Sequence, residues 1–152
     1  MLFRSTVAIG RGREKEKLAK DLGAHVYIDT AVDDATAVLQ RMGGARAILA
    51  TGTSGDAMGP LVAGLASRGK LIIVGVPNDE IRLNAFPLVF GGRSIYGTLT
   101  GTPIDSEDTL SFSVLENIRP MIETFPLEQA ADAYAHMMQG KARFRTVLVT
   151  GQ

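Results

Sequence analysis

The chain has 152 residues, 45% of them hydrophobic and 21% charged, with Lys+Arg and Asp+Glu balanced at 16 each for a formal net charge of zero. That composition suits one soluble globular domain with its own core and excludes a disordered tail or a fibre. Charges interspersed at zero net balance give no electrostatic footprint for nucleic acid or an anionic membrane, so a small molecule is the expected ligand. The chain has no cysteine and so can build neither a disulfide nor a thiolate zinc site. Its apolar runs are short, residues 1–10 lack a signal-peptide pattern, and the expected compartment is the cytoplasm.

Short β-branched runs alternate with helical periods. A strand is predicted at residues 6–9, then a helix over 14–22 with Leu18, Ala19 and Leu22 on one face, an i,i+4 pair Glu16–Lys20 and a stop at Gly23. A strand at 26–28 follows. Asp33 or Asp34 can cap a second helix whose Ala35, Val38, Leu39 and Met42 keep the apolar spacing up to Gly43-Gly44. After a strand at 47–50, a third helix is expected over 56–66, burying Met58, Leu61, Val62 and Leu65, and then a strand at 71–74. Residues 75–79 read as a loop, and 86–90 as a short apolar segment broken by Gly91-Gly92 before a strand at 94–97. Ser106 can cap a helix to about Leu115. The last helix spans roughly 127–139, and a strand at 146–149 closes the chain. Strands separated by helices of this length imply right-handed crossovers and a parallel sheet with helices on both faces, an α/β fold.

In open α/β sheets, ligands bind beyond the carboxyl ends of the strands, where loop amides and helix N-termini meet phosphate oxygens. Four strand ends here are glycine-rich: Gly10-Arg11-Gly12-Arg13, Thr51-Gly52-Thr53-Ser54-Gly55, Gly75-Val76-Pro77-Asn78 and Gly97-Thr98-Leu99-Thr100-Gly101. One such end only terminates a strand. Four together point to a flat, phosphate-bearing ligand approached closely by backbone. Gly10 through Lys15, with Asp29 ending the next strand, imitates half of a G-x-G-x-x-G fingerprint. Lys15 stands where a third glycine should permit close helix packing, and two arginines crowd the turn, so this is read as a decoy. His25 and His136 have no partner at metal-ligand spacing and read as ordinary boundary histidines.

The C-terminal run carries Phe125-Pro126-Leu127-Glu128-Gln129-Ala130-Ala131-Asp132-Ala133-Tyr134 and Gly140-Lys141-Ala142-Arg143-Phe144-Arg145-Thr146-Val147-Leu148. It resembles the end of zinc-type, medium-chain alcohol dehydrogenases. Leu22-Gly23-Ala24, Gly69-Lys70-Leu71-Ile72-Ile73-Val74-Gly75 and Gly91-Gly92-Arg93-Ser94-Ile95-Tyr96-Gly97 are similar to that family at matching spacing, so the resemblance covers nearly the whole chain.

The resemblance implies that residues 1–152 are a truncated, Rossmann-like dinucleotide-binding domain. The zinc catalytic domain and the first βα unit with its G-x-G-x-x-G turn would lie upstream of Met1, and residues 3–9 would be the second strand. The zinc would then belong to the full-length enzyme only, and no residue of this chain is expected to be catalytic. Gly10 matches the position where NAD-preferring relatives carry an acid for the adenosine ribose. Glycine there, with Arg11 and Arg13 beside it, favours NADP, with NAD possible. By the same resemblance Lys15 reaches the ribose, Arg145 the pyrophosphate, and Thr51, Gly52 and Thr53 the adenosine side. Gly75 and Val76 would meet the nicotinamide, and Thr98, Leu99 and Thr100 the carboxamide edge.

The implied parent oxidises a small alcohol or reduces an aldehyde by hydride transfer, while the isolated part is expected to be inactive. Rival readings are the zinc-free quinone-reductase branch and a free-standing Rossmann-like module. A homodimer through the edge strand Ser94–Gly97 is expected. Without its first, central strand the sheet should have a gap, closed either by a shift of residues 3–9 or by another chain.

Overall fold

Strands and helices alternate along the chain as its two hydrophobic periods dictate. The structure, a computed structural model, describes residues 5–99 and 101–151. Its contacts divide the chain into two units, Met1–Thr100 and Gly101–Gln152.

In the first unit β1 (Val7–Gly10) runs parallel to β2 (Val26–Asp29), with Val7 opposite Val26 and Ile9 opposite Ile28. A 3-10 turn, Arg13–Lys15, and α1 (Glu16–Asp21) connect them. The Asp34 carboxylate caps α2 (Ala35–Arg41), accepting from Thr36 N at 2.8 Å and Ala37 N at 3.2 Å, which decides between the two candidate caps. Next come β3 (Ala45–Ala50), β4 (Leu65–Ile73) and β5 (Ser94–Gly97), an all-parallel sheet in the order β3-β4-β5.

Ile48, Leu71 and Ile95 are in register across that sheet and face a core with Ile28, Leu39, Met58, Val62 and Leu65. The alternate residues Leu49, Ile72 and Tyr96 share the opposite face, where Leu49 is 62% exposed.

The third helix differs from expectation. Only α3 (Gly55–Met58) is α-helical; Gly59–Gly64 is 3-10, and Leu65 already begins β4. Pro60 has no N–H for an i−4 bond and its ring would crowd the preceding turn, while Gly59 and Gly64 weaken an α-helix further. Of the apolar side chains expected inside, Met58, Val62 and Leu65 are buried and Leu61 is partly buried, because a 3-10 segment still presents Val62 inward. The segment around residues 86–90 is a helix, α4 (Ala85–Gly91), which Gly92 ends in the left-handed region at φ 57°.

The second unit holds α5 (Pro103–Leu115), β6 (Ile122–Pro126), a 3-10 turn Leu127–Gln129, α6 (Ala130–Met138) and β7 (Arg145–Val149), with β6 parallel to β7. The helix cap is Thr102 and not Ser106: Pro103 takes the first helical position, and Asp105 accepts from Thr102 N at 2.7 Å. The strand β6 was not expected from its sequence. It is five residues long with Glu and Thr inside it, and only pairing with β7 defines it.

The gap in the sheet is visible. Among the described residues β1 pairs only with β2 and β3 only with β4, so β1 has not moved over to close the sheet; residues 3 and 4 lie outside the described residues. A cleft of about 740 Å³ separates the two strands, walled by Val7, Ile9, Ala47 and Leu49 and floored by Leu39 and Met58.

Candidate functional site

Parallel strands bring their carboxyl ends to one side, and the first unit places three loops there. The turn after β1 is held at both of its peptide faces. The Tyr27 hydroxyl donates to Gly12 O at 2.8 Å, and the Asp29 carboxylate accepts from Gly12 N at 2.8 Å and Ala31 N at 2.9 Å. Those amides, Ala31 first and then Gly12, hold the Asp29 carboxyl below its ordinary value of 3.8, because they stabilise only the charged form. Burial, and then the nearby negative charge of Asp29, raise the Tyr27 hydroxyl, which stays a proton donor. Gly12 itself sits at φ 98°, with the Glu14 carboxylate where a β-carbon would be. Arg11, Arg13 and Lys15 are exposed around this turn.

The loops after β3 and β4 form a second arrangement. Ser54 caps α3, and Asp79 from the β4 loop adds a carboxylate across it, accepting from Gly55 N at 2.8 Å and Asp56 N at 3.0 Å. These two amides, Gly55 first, hold the Asp79 carboxyl below its ordinary value of 3.8. Gly75 lies so close to the carbonyls of Thr51 and Gly52 that a β-carbon on it would overlap both. Glycine at 75 is therefore required by the contact between the loops, as is Gly55 by the Asp79 and Glu80 carbonyls.

Of the residues expected to form a site, Gly10, Arg11, Thr51, Gly52 and Thr53 line the cleft between β1 and β3, and Gly75 touches its rim through Thr51 and Gly52. Arg13 and Lys15 open the helix beside Arg11. Val76 is 80% exposed beyond Gly75. Thr98 is anchored by its N–H to Ile73 O at 3.1 Å, and its hydroxyl donates to Leu99 O at 3.2 Å, while the Leu99 side chain is 91% exposed. Thr100 lies outside the described residues. Arg145 opens β7, exposed, in the second unit.

Asp29, placed by sequence where a fingerprint would put its ribose acid, is engaged by its own turn. Sequence reading did not single out Tyr27 or the Asp79 clamp. Neither has a local signal, because each acts on a loop 15 or 24 residues away. The two histidines have structural partners: His25 Nδ1 accepts from Thr6 N at 3.0 Å, and His136 Nε2 lies 2.7 Å from Glu123 Oε2. Among the described residues no three His, Cys, Asp or Glu side chains gather at metal-ligand spacing.

The cleft is largely apolar and its lining mixes Arg11 with the carboxylates of Asp33, Asp34 and Asp56, while the glycine-rich strand ends offer backbone to a ligand carrying phosphates. The zinc-binding dehydrogenase family matches residues 3–114. This chain belongs to that family. The alcohol dehydrogenase patD of Penicillium expansum is 42% identical over 142 residues, which cover 93% of this chain and 42% of that protein. An alcohol dehydrogenase of Geobacillus stearothermophilus is 32% identical over 145 residues, 95% of this chain and 43% of that one. Among solved structures, the alcohol dehydrogenase zinc-binding domain protein from Burkholderia ambifaria superposes with a TM-score of 0.87 over 98% of this chain and 42% of that chain, at 22% identity, a likeness of fold.

The chain thus spans less than half the length of these relatives, and it corresponds to the C-terminal, cofactor-binding part of zinc-type alcohol dehydrogenases. Full-length zinc-type alcohol dehydrogenases use a nicotinamide cofactor together with zinc. The expected α/β fold, with parallel strands and flanking helices, is the one observed. No helix among the described residues is long and apolar enough to cross a membrane.

Proposed function

We propose that this chain is the truncated dinucleotide-binding domain of an NADP(H)-dependent oxidoreductase acting on a small alcohol or aldehyde. The observation that carries the cofactor choice is the turn after β1: no acid stands at position 10, the Asp29 carboxylate is turned to backbone amides, and Arg11, Arg13 and Lys15 are exposed around a rigid Gly12. A carboxylate at position 10 would accept from a ribose 2′-hydroxyl and repel a 2′-phosphate; exposed guanidinium groups do the reverse.

Gly52 and Gly97, with open space where a β-carbon would stand, leave room for a flat ligand such as a nicotinamide dinucleotide, while at Gly55 and Gly75 that space is filled by carbonyls of the neighbouring loop. Thr51, Gly52 and Thr53 would meet its adenosine side, Gly75 and Val76 its nicotinamide side, and Thr98, Leu99 and Thr100 its carboxamide edge. When bound, that group supplies hydride exchange at the nicotinamide ring. The residues of this chain hold and orient it. They do not fit zinc, because the chain lacks cysteine and the described residues bring no three ligand side chains together, so no step of the chemistry is assigned to a metal held here.

The same proposal includes a cytoplasmic setting and a homodimer through Ser94–Gly97. β5 is the outer strand of its sheet, and Tyr96 on it is 51% exposed. The test is a titration of the purified chain with NADPH and NADH, followed by intrinsic fluorescence and thermal shift. NADPH is expected to bind more tightly, and Arg11→Ala to weaken NADPH by about tenfold while barely changing NADH, as loss of one charge-assisted contact would. Equal losses for both dinucleotides would mean that Arg11 does not read the 2′-phosphate.

A further inference from the structure

Along a strand, the N–H and C=O of one residue point to one neighbour and those of the next residue to the other. On β1 the side is fixed by β2: Thr6 O accepts from His25 N at 2.9 Å and Val26 N at 3.3 Å, and Gly10 O accepts from Thr30 N at 2.8 Å. Residues 6, 8 and 10 therefore face β2, and Val7 and Ile9 turn their backbone groups toward the cleft. On β3, Ala50 O accepts from Val74 N and Gly75 N at 3.0 Å, so Ile48 and Ala50 face β4 while Ala47 and Leu49 face the cleft. The cleft runs the length of both strands, from Thr6 and Ala45 to Gly10 and Ala50, and among the described residues neither row has a strand partner in it. The phase of the two rows also fixes direction. Val7 and Ile9, packed on the core, bond away from β2, and Ile48 and Ala50, in the same core, bond toward β4; two strands on one core share that phase only when they run parallel.

We propose that the cleft is a strand-accepting site: it takes one extended, uncharged, β-branched segment of a partner polypeptide, inserted parallel to β1 and β3 and about as long as the six residues of β3. The proposal does not rest on the cofactor reading, which concerns the rim beyond the strand ends. A strand is the occupant because it carries donors and acceptors along both of its edges. A small apolar molecule would leave both rows unpaired. The segment is uncharged because one of its faces would lie over Leu39 and Met58 and the other beside Ala47 and Leu49, and a strand covered by apolar groups on both faces reads as a continuous hydrophobic run. A second copy of this chain does not supply it. Every described strand already pairs along one edge, and the slot needs a strand with both edges free.

The probe is a synthetic peptide of alternating valine and isoleucine, as long as β3, with a lysine at each end for solubility. It is added to the full chain, and binding is followed by fluorescence anisotropy of a label on the peptide and by amide hydrogen exchange of the protein. In the free chain the amides of Val7, Ile9, Ala47 and Leu49 are expected to exchange at least about tenfold faster than those of Ala8, Ile48 and Ala50, and the peptide is expected to remove that difference. A peptide N-methylated at alternate residues loses the donors of one edge and should bind about tenfold more weakly or worse. Equal binding of the two peptides would make the cleft a mere apolar pocket and overturn the strand pairing. No binding at about 1 mM peptide would overturn the site itself. Four amides already slow in the free chain would mean that this chain or a second copy fills the slot, and would overturn the assignment to a partner.

Discussion

Asp79 is an exposed carboxylate that joins two loops because its two oxygens accept from consecutive amides at the start of α3. Removing both acceptors with Asp79→Ala should free the Gly55 and Asp56 amides, seen as faster hydrogen exchange at those two sites and a melting point a few degrees lower. Asp79→Asn keeps one acceptor and should fall between. Unchanged exchange at both amides in Asp79→Ala would show that the bonds contribute nothing. A carboxyl held below its ordinary value adds stability that is full above about pH 4 and drains away as the pH falls through the depressed folded value. Asp29, Asp79, Asp105 and Glu123 are all held low, and Glu123 chiefly because its carboxylate accepts from Arg143 N at 2.7 Å. The chain should therefore lose melting temperature on acidification below about pH 4, and Asp79→Ala should lose less of it than wild type over the same interval. Parallel pH profiles for the two proteins would contradict the clamp.

At the scale of elements, caps and breakers explain where periodicity succeeded and where it did not. The pattern of Ala35, Val38, Leu39 and Met42 was sufficient to find α2, but it could not choose between two adjacent aspartates; the hydrogen bonds choose Asp34. Asp34→Ala is thus expected to cost about 1 kcal/mol, with Asp33→Ala close to neutral, both measured by urea unfolding. Comparable losses in the two variants would remove Asp34 as the cap. In α3 the same apolar pattern survived while the helix type changed, because Pro60 cannot supply the N–H that an α-helix needs at that position. For α5, Ser106 looked like a cap since serine favours that place, yet Thr102-Pro103 with Asp105 satisfies the first amides one turn earlier. Edge strands are the hardest to read: β6 has no apolar run of its own and exists through its pairing with β7.

Across the first unit, the sheet is divided by the cleft between β1 and β3, and its outer strand β5 ends in an exposed edge. Unpaired edges of parallel strands are sites of association, so the proposed homodimer has a physical motive in β5. Light scattering across micromolar concentrations should give twice the 16.2 kDa chain mass. Tyr96→Lys should return the mass to that of one chain, because a cation on each copy would meet its like across a two-fold axis, with Lys70 Nζ already 5.5 Å from the Tyr96 ring. A wild-type chain that scatters as a monomer throughout that range would remove this edge as an interface.

The sequence by itself determined the α/β class, most strand positions, the four glycine-rich strand ends and the family, because periodicity, β-branched runs and turn residues are written locally. It also placed the cations of the Gly10–Arg13 turn, which lie next to one another in the chain. Only the tertiary structure decided why the glycines stand where they do. Gly10 lies against the Tyr27 side chain, Gly75 against the carbonyls of Thr51 and Gly52, and Gly55 against the loop carrying Asp79, each contact joining segments that belong to or follow different strands. Such close approaches are set by how parallel strands align their ends, and a distance between strands leaves no trace in the order of residues along one of them.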